Sequence, residues 1–319
     1  MGSSQKVIFK ALKVTLTGID KMLKKKLKEL LQNRFCNPAA RIDTPVPCMN
    51  CGHEKAWMMN TKVKVDFDLN IIPLEFVGFF TNNHDGICAN CGLYQAYHRF
   101  NDAALNWIHE MGKDALSTFE GYSDEDVTEK LVETFNATVP LQFARWMNFL
   151  DSRNITPKNA LFLRYWFGET PRLFKERYSC NISGLDISPG CETYVEKHLP
   201  ELEILSGEIT GHFMGDFVTS GKYDLVSSSH LLMHSCDIRA SLSAIREILK
   251  HGGVFIMDAE NKVAPANPFH KLYFGEFHLR NLLNEYFDEV FALDTNGVVE
   301  ENISGEVIEH IAMVHPPSS

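Results

Sequence analysis

The chain has 319 residues, of which 45% are hydrophobic and 23% charged, and it carries a formal net charge of −10. Those are ordinary values for a globular protein, with room for one catalytic domain of about 150–200 residues beside a smaller module. No apolar run approaches the roughly 20 residues that span a bilayer, since the longest candidate, IIPLEFVGFF, is broken by Pro73 and Glu75.

Charge is spread unevenly along the chain. Residues 1–34 hold nine Lys or Arg against Asp20 and Glu29, a local +7 that leaves −17 for the remainder. Within this stretch Ile8, Leu12, Leu16, Ile19, Leu23, Leu27 and Leu30 recur at steps of three and four, the period of an amphipathic helix with a lysine-rich polar face. Residues 6–34 are therefore expected to lie on an anionic membrane surface, on a partner protein, or on the acidic body of the chain itself. Nucleic acid is not expected, because the rest of the chain would repel phosphates.

Two cysteine pairs follow, Cys48-x-x-Cys51-Gly52 and Cys88-x-x-Cys91-Gly92, separated by 36 residues. Two short turns of this kind can set four thiolates around one Zn²⁺, with the glycines freeing the backbone to fold back around the metal. Four sulfurs close the coordination shell, so the role expected is structural. Two disulfides or two redox pairs are the alternatives. The absence of a secretory signal speaks against the first, and the matched spacing against the second. The other cysteines, Cys36, Cys180, Cys191 and Cys236, are scattered and read as reduced thiols in a cytoplasmic setting, either soluble or peripheral to a membrane.

Between the knuckles, KVKVDFDLNIIPLEFVGFF alternates at its start and suits strands. Residues 101–152 read as helical, with Ser123 and Asp126 as a cap-like pair. Pro157 marks a boundary before a strand at 160–165, and the region beyond it alternates apolar strands with helical patterns: GLDISPG, then Gly215-Asp216-Phe217, YDLVSSS, SLSAIREILK, the turn HGG and VFIMD. A carboxylate at the carboxyl end of a parallel strand is where an adenosine ribose is held by its hydroxyls.

These residues resemble the class I S-adenosylmethionine-dependent methyltransferases, whose strand-two acid, "GD" element, "fDlV…LeH" strand and "LkpGG" turn match here in order and spacing. The resemblance covers about 158–295 and implies an α/β, doubly wound Rossmann-like seven-stranded sheet with S-adenosyl-L-methionine as cofactor. It implies that Asp186 holds the ribose and Asp216 the adenine amino group, with Ile187 and Phe217 on the adenine faces and Ser228 beside them. His234, matching the histidine of the "LeH" element, and His230 one helical turn earlier are the candidate bases; neutral imidazole suits that role near working pH. The family's last strand pairs antiparallel, and VIEHIAMVH matches it.

The family's glycine-rich loop is altered. Aligned on Phe162-Leu163, the chain has Arg164 for the acid, Trp166 for the first glycine, Gly168 for the second and Thr170 for the third. Gly168 lies 18 residues before Asp186, a normal separation for a βα unit. Arg164 and Gly168 are expected to meet the methionine part of the cofactor, the guanidinium facing its carboxylate. The alternative is a methyltransferase-like binding or scaffolding protein that has lost the cofactor through this loop. The second knuckle, ICANCGLYQAY, is similar to the zinc-binding domain found ahead of some sugar C-methyltransferases, which implies a small-molecule or glycan acceptor, O- or C-methylated. The chain is thus expected to divide into a basic helical segment at 1–40, a zinc module at 41–100, a helical connector at 101–156 and a methyltransferase-like domain at 157–319, with the oligomeric state open.

Overall fold

The computed structural model describes residues 47–58, 85–96, 128–137, 139–185, 189–205, 221–229, 232, 235, 238–260, 272–273, 276–293 and 307–313. The basic segment 6–34, the strands expected within 62–80, the Ser123 cap and the site candidates Asp186, Ile187, Asp216, Phe217, His230 and His234 lie outside the described residues. Among the described residues no helix is long and apolar enough to cross a membrane.

Two sheets organise the described residues. The smaller one joins β1 (Ala56–Met58), β2 (Asp85–Cys88), β3 (Tyr94–Ala96) and, from far down the sequence, β9 (Leu272–Tyr273), all antiparallel. The larger one contains β4 (Asn159–Leu163), β5 (Asn181–Leu185), β6 (Glu203–Ile204), β7 (Tyr223–Ser229), β8 (Leu249–Glu260), β10 (Glu289–Leu293) and β11 (Val307–Met313), in the order β10-β11-β8-β7-β4-β5-β6. Strands β4 to β8 pair in parallel; β11 runs antiparallel to both β8 and β10, as the sequence predicts for the last strand.

The parallel strands are near-continuous apolar runs because both faces of the sheet are covered. Alternation along β4 divides the core: Ala160 and Phe162 point into one cluster, Leu161 and Leu163 into the other. The first cluster packs α2 (Val139–Ser152), α3 (Glu169–Tyr178) and α4 (Pro189–His198) through Trp146, Leu150, Phe174, Cys191 and Val195. The second packs α5 (Ile238–Ile248) and α6 (Glu276–Leu283) through Ile238, Leu242, Ile245, Leu279 and Leu283, and it also takes in Cys48, Met49, Cys88 and Leu93 of the knuckles.

Local signals explain the boundaries. Helix α1 (Glu129–Asn136) starts at Thr128, whose Oγ1 accepts from the Leu131 N–H at 3.2 Å. A cap of this kind contributes about 1 kcal/mol. Pro140 falls in the first turn of α2, where its missing N–H costs nothing. The HGG turn is a bulge inside β8: Tyr223 pairs with Leu249, but Leu225 pairs with Val254, and Gly252 sits at φ +80°.

The chain runs β4-β5-β6 outward in one direction, then returns across β4 to place β7 on its other side. That reversal is the topological switch point, where open α/β sheets leave a crevice beyond the strand ends. The ends are level there, Leu163 pairing with both Leu185 and Ser228, and Ser228 with Met257.

Candidate cofactor and metal sites

At the switch point lies a cavity of ≈ 370 Å³, walled by α1 and α2, by the loop after β4, and by the ends of β7 and β8. Its volume falls in the range of about 300–1,000 Å³ typical of small-molecule sites. Aromatic rings make much of the wall: Phe135, Trp146, Phe162, Tyr165, Trp166 and Phe167. Polar groups in the lining include Gln142, Arg145, Arg164, Ser227, Ser229, Glu169 and Asp258. Trp146 is 1% exposed, and among the described residues its indole N–H has no hydrogen-bond partner.

The altered loop keeps the backbone of a glycine turn without its glycines. Arg164 (φ +66°), Trp166 (φ +52°) and Gly168 (φ +79°) are all left-handed, alternate residues along the loop. For a side chain other than glycine this conformation costs roughly 1–2 kcal/mol. Packing offsets the cost: the Arg164 guanidinium lies 3.9 Å above the centre of the Trp166 ring, and that ring packs on Phe135 at 4.7 Å. Arg164 is buried, and its N–H donates to the Leu185 carbonyl at 2.6 Å, tying the loop to the end of β5. Trp166 therefore forms a side of the cavity and does not fill it.

Gly168 also has a packing role. It precedes the first turn of α3 as its left-handed cap, and a Cβ there would meet Val195 at 3.1 Å and Leu199 at 3.2 Å, so the glycine lets α3 approach α4. Glu169 follows at the positive end of α3, held by Nε and Nη2 of Arg172 at 2.8 and 2.6 Å. Ser228 is buried at 1% exposure, with no partner for its hydroxyl among the described residues, between Ser227 and Ser229, which line the cavity.

Sequence reasoning missed Asp258, Gln142 and Arg145. Asp258 is 3% exposed and accepts a hydrogen bond from Gln142 Nε2 at 2.8 Å and another from Ser229 Oγ at 3.3 Å. Its signal was available, since it closes the apolar run VFIM as Asp186 closes GL. Gln142 and Arg145 left none, because a helix of uncertain rotation does not say which polar residues face a sheet.

The knuckles form a second constellation. The four sulfurs of Cys48, Cys51, Cys88 and Cys91 lie within 4.8 Å of one another, with Cys48–Cys91 and Cys51–Cys88 both at 3.6 Å. A disulfide would need about 2.05 Å, whereas a zinc–sulfur length of about 2.3 Å gives a tetrahedron edge of about 3.8 Å. The donor set thus fits one tetrahedral metal; His53 is outside the cluster. Each turn closes identically: Gly52 N–H bonds to Cys48 O at 2.8 Å, and Gly92 N–H to Cys88 O at 3.0 Å, with both glycines left-handed. The fully buried Gln95 fastens one knuckle to the other, accepting from Met49 N at 2.7 Å and donating to Pro47 O at 3.3 Å. Burial pushes the Cys48 and Cys91 thiols up. It acts on Cys51 too, but hydrogen bonds from Asn90, His53 and Cys88 outweigh it and bring that thiol down to about 7.

The knuckles are joined to the larger sheet's helices by named contacts. Arg239, in the first turn of α5, donates through Nε to the carbonyls of Met49 (3.2 Å) and Asn50 (3.0 Å), while its terminal nitrogens hold Glu285 at 2.6 and 3.1 Å. His278 on α6 bonds the Cys91 carbonyl, and Tyr273 pairs with Tyr94. Tyr273 and His278 thus contact the knuckles.

Residues 167–257 match the family model described as "Methyltransferase domain" (Methyltransf_11), beginning just past Arg164 and Trp166. Solved structures with a similar fold include the 1,6-didemethyltoxoflavin-N1-methyltransferase of Burkholderia thailandensis with bound 1,6-didemethyltoxoflavin and S-adenosylhomocysteine, at 14% identity and TM-score 0.47 over 72% of this chain and 98% of that one. A SAM-dependent methyltransferase from Archaeoglobus fulgidus is 14% identical with TM-score 0.45, covering 59% of this chain and all of that one (100%). The CurJ carbon methyltransferase is 14% identical with TM-score 0.41 over 50% of this chain, which spans about half (48%) of that chain. No curated protein sequence matches the chain. Residues 167–257 thus resemble a methyltransferase domain, and they lie on a Rossmann-like α/β sheet.

Proposed function

We propose that the protein transfers a methyl group from S-adenosylmethionine to a ring-bearing small molecule held in the cavity beyond β4, β7 and β8. The observation that carries this reading is that the cavity stays open beside Trp166, with Arg164 in its wall. A scaffold that had lost its cofactor would have no reason to keep a left-handed backbone at Arg164 and Trp166.

In this reading Asp186 receives the ribose hydroxyls and Asp216 the adenine amino group, Ile187 and Phe217 cover the ring, and Gly168 and Ser228 border the site. Arg164 pairs with the cofactor's carboxylate, which guanidinium geometry favours. The bound cofactor supplies a methyl group already activated on a sulfonium, so the protein's task is alignment and exclusion of water. His234, or His230 before it, stands as the base where the acceptor needs one. A sugar or glycan acceptor, O- or C-methylated, has its support in the knuckle resemblance alone. A cytoplasmic location, with residues 6–34 docking on a partner protein or an anionic membrane surface, belongs to the same proposal.

The knuckles hold one structural Zn²⁺ through Cys48, Cys51, Cys88 and Cys91, supported by the 3.6 Å sulfur separations. Elemental analysis should find one zinc per chain; Cys91→Ser should lose it and soluble yield together. Metal-free protein with four readily alkylated thiols contradicts this.

The cofactor reading is tested by calorimetry with S-adenosylhomocysteine and with 5′-methylthioadenosine, which lacks the amino-acid carboxylate. A hydrogen bond to a charged group is worth about 1.5–3 kcal/mol, or roughly ten- to a hundredfold. The wild type should favour S-adenosylhomocysteine by that factor, Arg164→Met should erase the preference, and Asp186→Ala should weaken both ligands alike. Equal affinities in the wild type remove Arg164 from the site.

A further inference from the structure

The two strands that end in the cavity wall beside β4, β7 and β8, are both followed by chain that is fastened to the cysteine knuckles. Ser227, Ser229 and Asp258 bring these strands to the cavity. Beyond β7 comes Leu232, 1% exposed and in the same apolar cluster as Cys48, Met49, Cys88 and Leu93. Then α5 begins, and its Arg239 bonds the first knuckle. Beyond β8 comes β9, which pairs with β3, the strand that starts at Tyr94 just past Cys91. Helix α6 follows, and its His278 bonds the Cys91 carbonyl.

Metal ligation would fix these contacts at their source. The carbonyls that Arg239 Nε holds, Met49 at 3.2 Å and Asn50 at 3.0 Å, belong to the residues between Cys48 and Cys51, so a metal on both cysteines pins that turn at its two ends. The carbonyl that His278 holds belongs to a ligand residue itself. Without the metal, backbone bonds and packing alone shape the turns, and α5 and α6 lose their fixed acceptors. The other face of the sheet is built differently. There α2, α3 and α4 pack through Trp146, Phe174, Cys191 and Val195 in a cluster that contains none of the four knuckle cysteines.

Resting on the reading of the knuckles as a zinc site, we propose that the metal clamps one half of the crevice. Filled, the knuckles hold the chain beyond β7 and β8; emptied, they release α5 and α6 while the α3–α4 face stands. Arg239 is the positioning residue that carries metal occupancy from the first knuckle to α5. Zinc supply thereby decides whether the β7–β8 half of the crevice is in place. Release of the apolar cluster around Leu232 and Ile238 also accounts for the loss of soluble yield expected of Cys91→Ser.

Hydrogen–deuterium exchange read by mass spectrometry tests this on the full-length protein, zinc-loaded and then stripped with a high-affinity chelator under reducing conditions, the zinc content being measured in both states. Stripping should speed exchange in α5 and α6 by about tenfold or more and leave α3 and α4 within about threefold. In zinc-loaded Arg239→Met, α5 should already exchange about tenfold faster than in the wild type, and stripping should then add less than about threefold, since the bond that transmits the change is gone. Unchanged α5 and α6 on stripping overturn the proposal, and so does protection lost throughout, which would make the metal a requirement of the whole fold. A stripping effect undiminished in Arg239→Met overturns the route through Arg239. Should the stripped protein aggregate, zinc-loaded Arg239→Met decides alone: fast α5 beside unchanged α3 upholds the proposal, and unchanged α5 overturns it. A chain that takes up no zinc sinks the metal reading and the clamp with it, and fast α5 in Arg239→Met would then show a fastening that works without metal.

Discussion

Replacing Trp166 with glycine restores the residue that the loop's backbone was expected to need, and the structure predicts that this destabilises the protein. Glycine relieves the strain of φ +52°, a gain of roughly 1–2 kcal/mol. Against that stand the ring contact with Phe135 at 4.7 Å, worth about 0.5–1.5 kcal/mol, and the Arg164 guanidinium 3.9 Å above the ring, worth about 0.5–2 kcal/mol. The half-buried indole adds its own apolar area; some 100 Å² returned to water costs about 2.5 kcal/mol. Losses of about 3.5–6 kcal/mol exceed the gain, for a net destabilisation of roughly 1.5–5 kcal/mol. Urea unfolding followed by circular dichroism measures this directly, with Trp166→Phe as the control that keeps a ring in the same strained backbone. The glycine variant should unfold at clearly lower urea than either. A glycine variant as stable as the wild type would show that the ring stacking is worth no more than the strain, and the loop would then be a decayed glycine turn.

Two other substitutions probe the frame around the cavity. A Cβ on Gly184 would lie 2.4 Å from Cδ1 and 2.9 Å from Cε1 of Tyr165, so Gly184→Ala must push that ring towards the cavity it lines; a loss of about 1–3 kcal/mol in urea is expected, together with weakened ligand binding, and an unperturbed variant contradicts the packing. Asp224 is raised by partial burial but brought below the usual carboxylate range by Lys250 Nζ at 2.9 Å and the N–H groups of Asn159 and Lys158 at 2.8 and 3.0 Å. A carboxyl whose folded value is depressed stabilises the fold above its unfolded value near pH ~3.9 and loses that contribution as pH falls through the folded value. Stability should therefore decline in acid more steeply for the wild type than for Asp224→Asn, and parallel acid profiles would rule the contribution out.

What could be read from the sequence differs by element. Strands β4, β5, β7 and β8 announce themselves as short apolar runs closed by polar residues, since a parallel sheet covered on both faces leaves no polar alternation to confuse them. The knuckles are equally plain, and Gln95 in CGLYQ acquires its reason only when its amide is seen holding the backbone of the first turn at Pro47 and Met49. The loop after β4 was opaque. Arg164 reads as a replaced acid and Trp166 as a lost glycine, yet both are left-handed, because a stack of one side chain on the other stabilises what residue type alone disfavours. Strand β9 left no local trace: two residues, Leu272 and Tyr273, are a strand only because β3 offers an edge to pair with. Arg239 likewise gave no sign of its role, which depends on carbonyls about 190 positions earlier in the chain.

The central claim, that this chain binds the methyl donor in the crevice beyond β4, is tested most directly by titrating S-adenosylhomocysteine into the wild-type protein. A site filled at a hundred times its Kd stabilises the fold by about 2.7 kcal/mol. The account predicts saturable heat in calorimetry with one site per chain, and a melting temperature that rises with ligand. No heat and no shift at millimolar ligand, in protein that retains its fold, would contradict it.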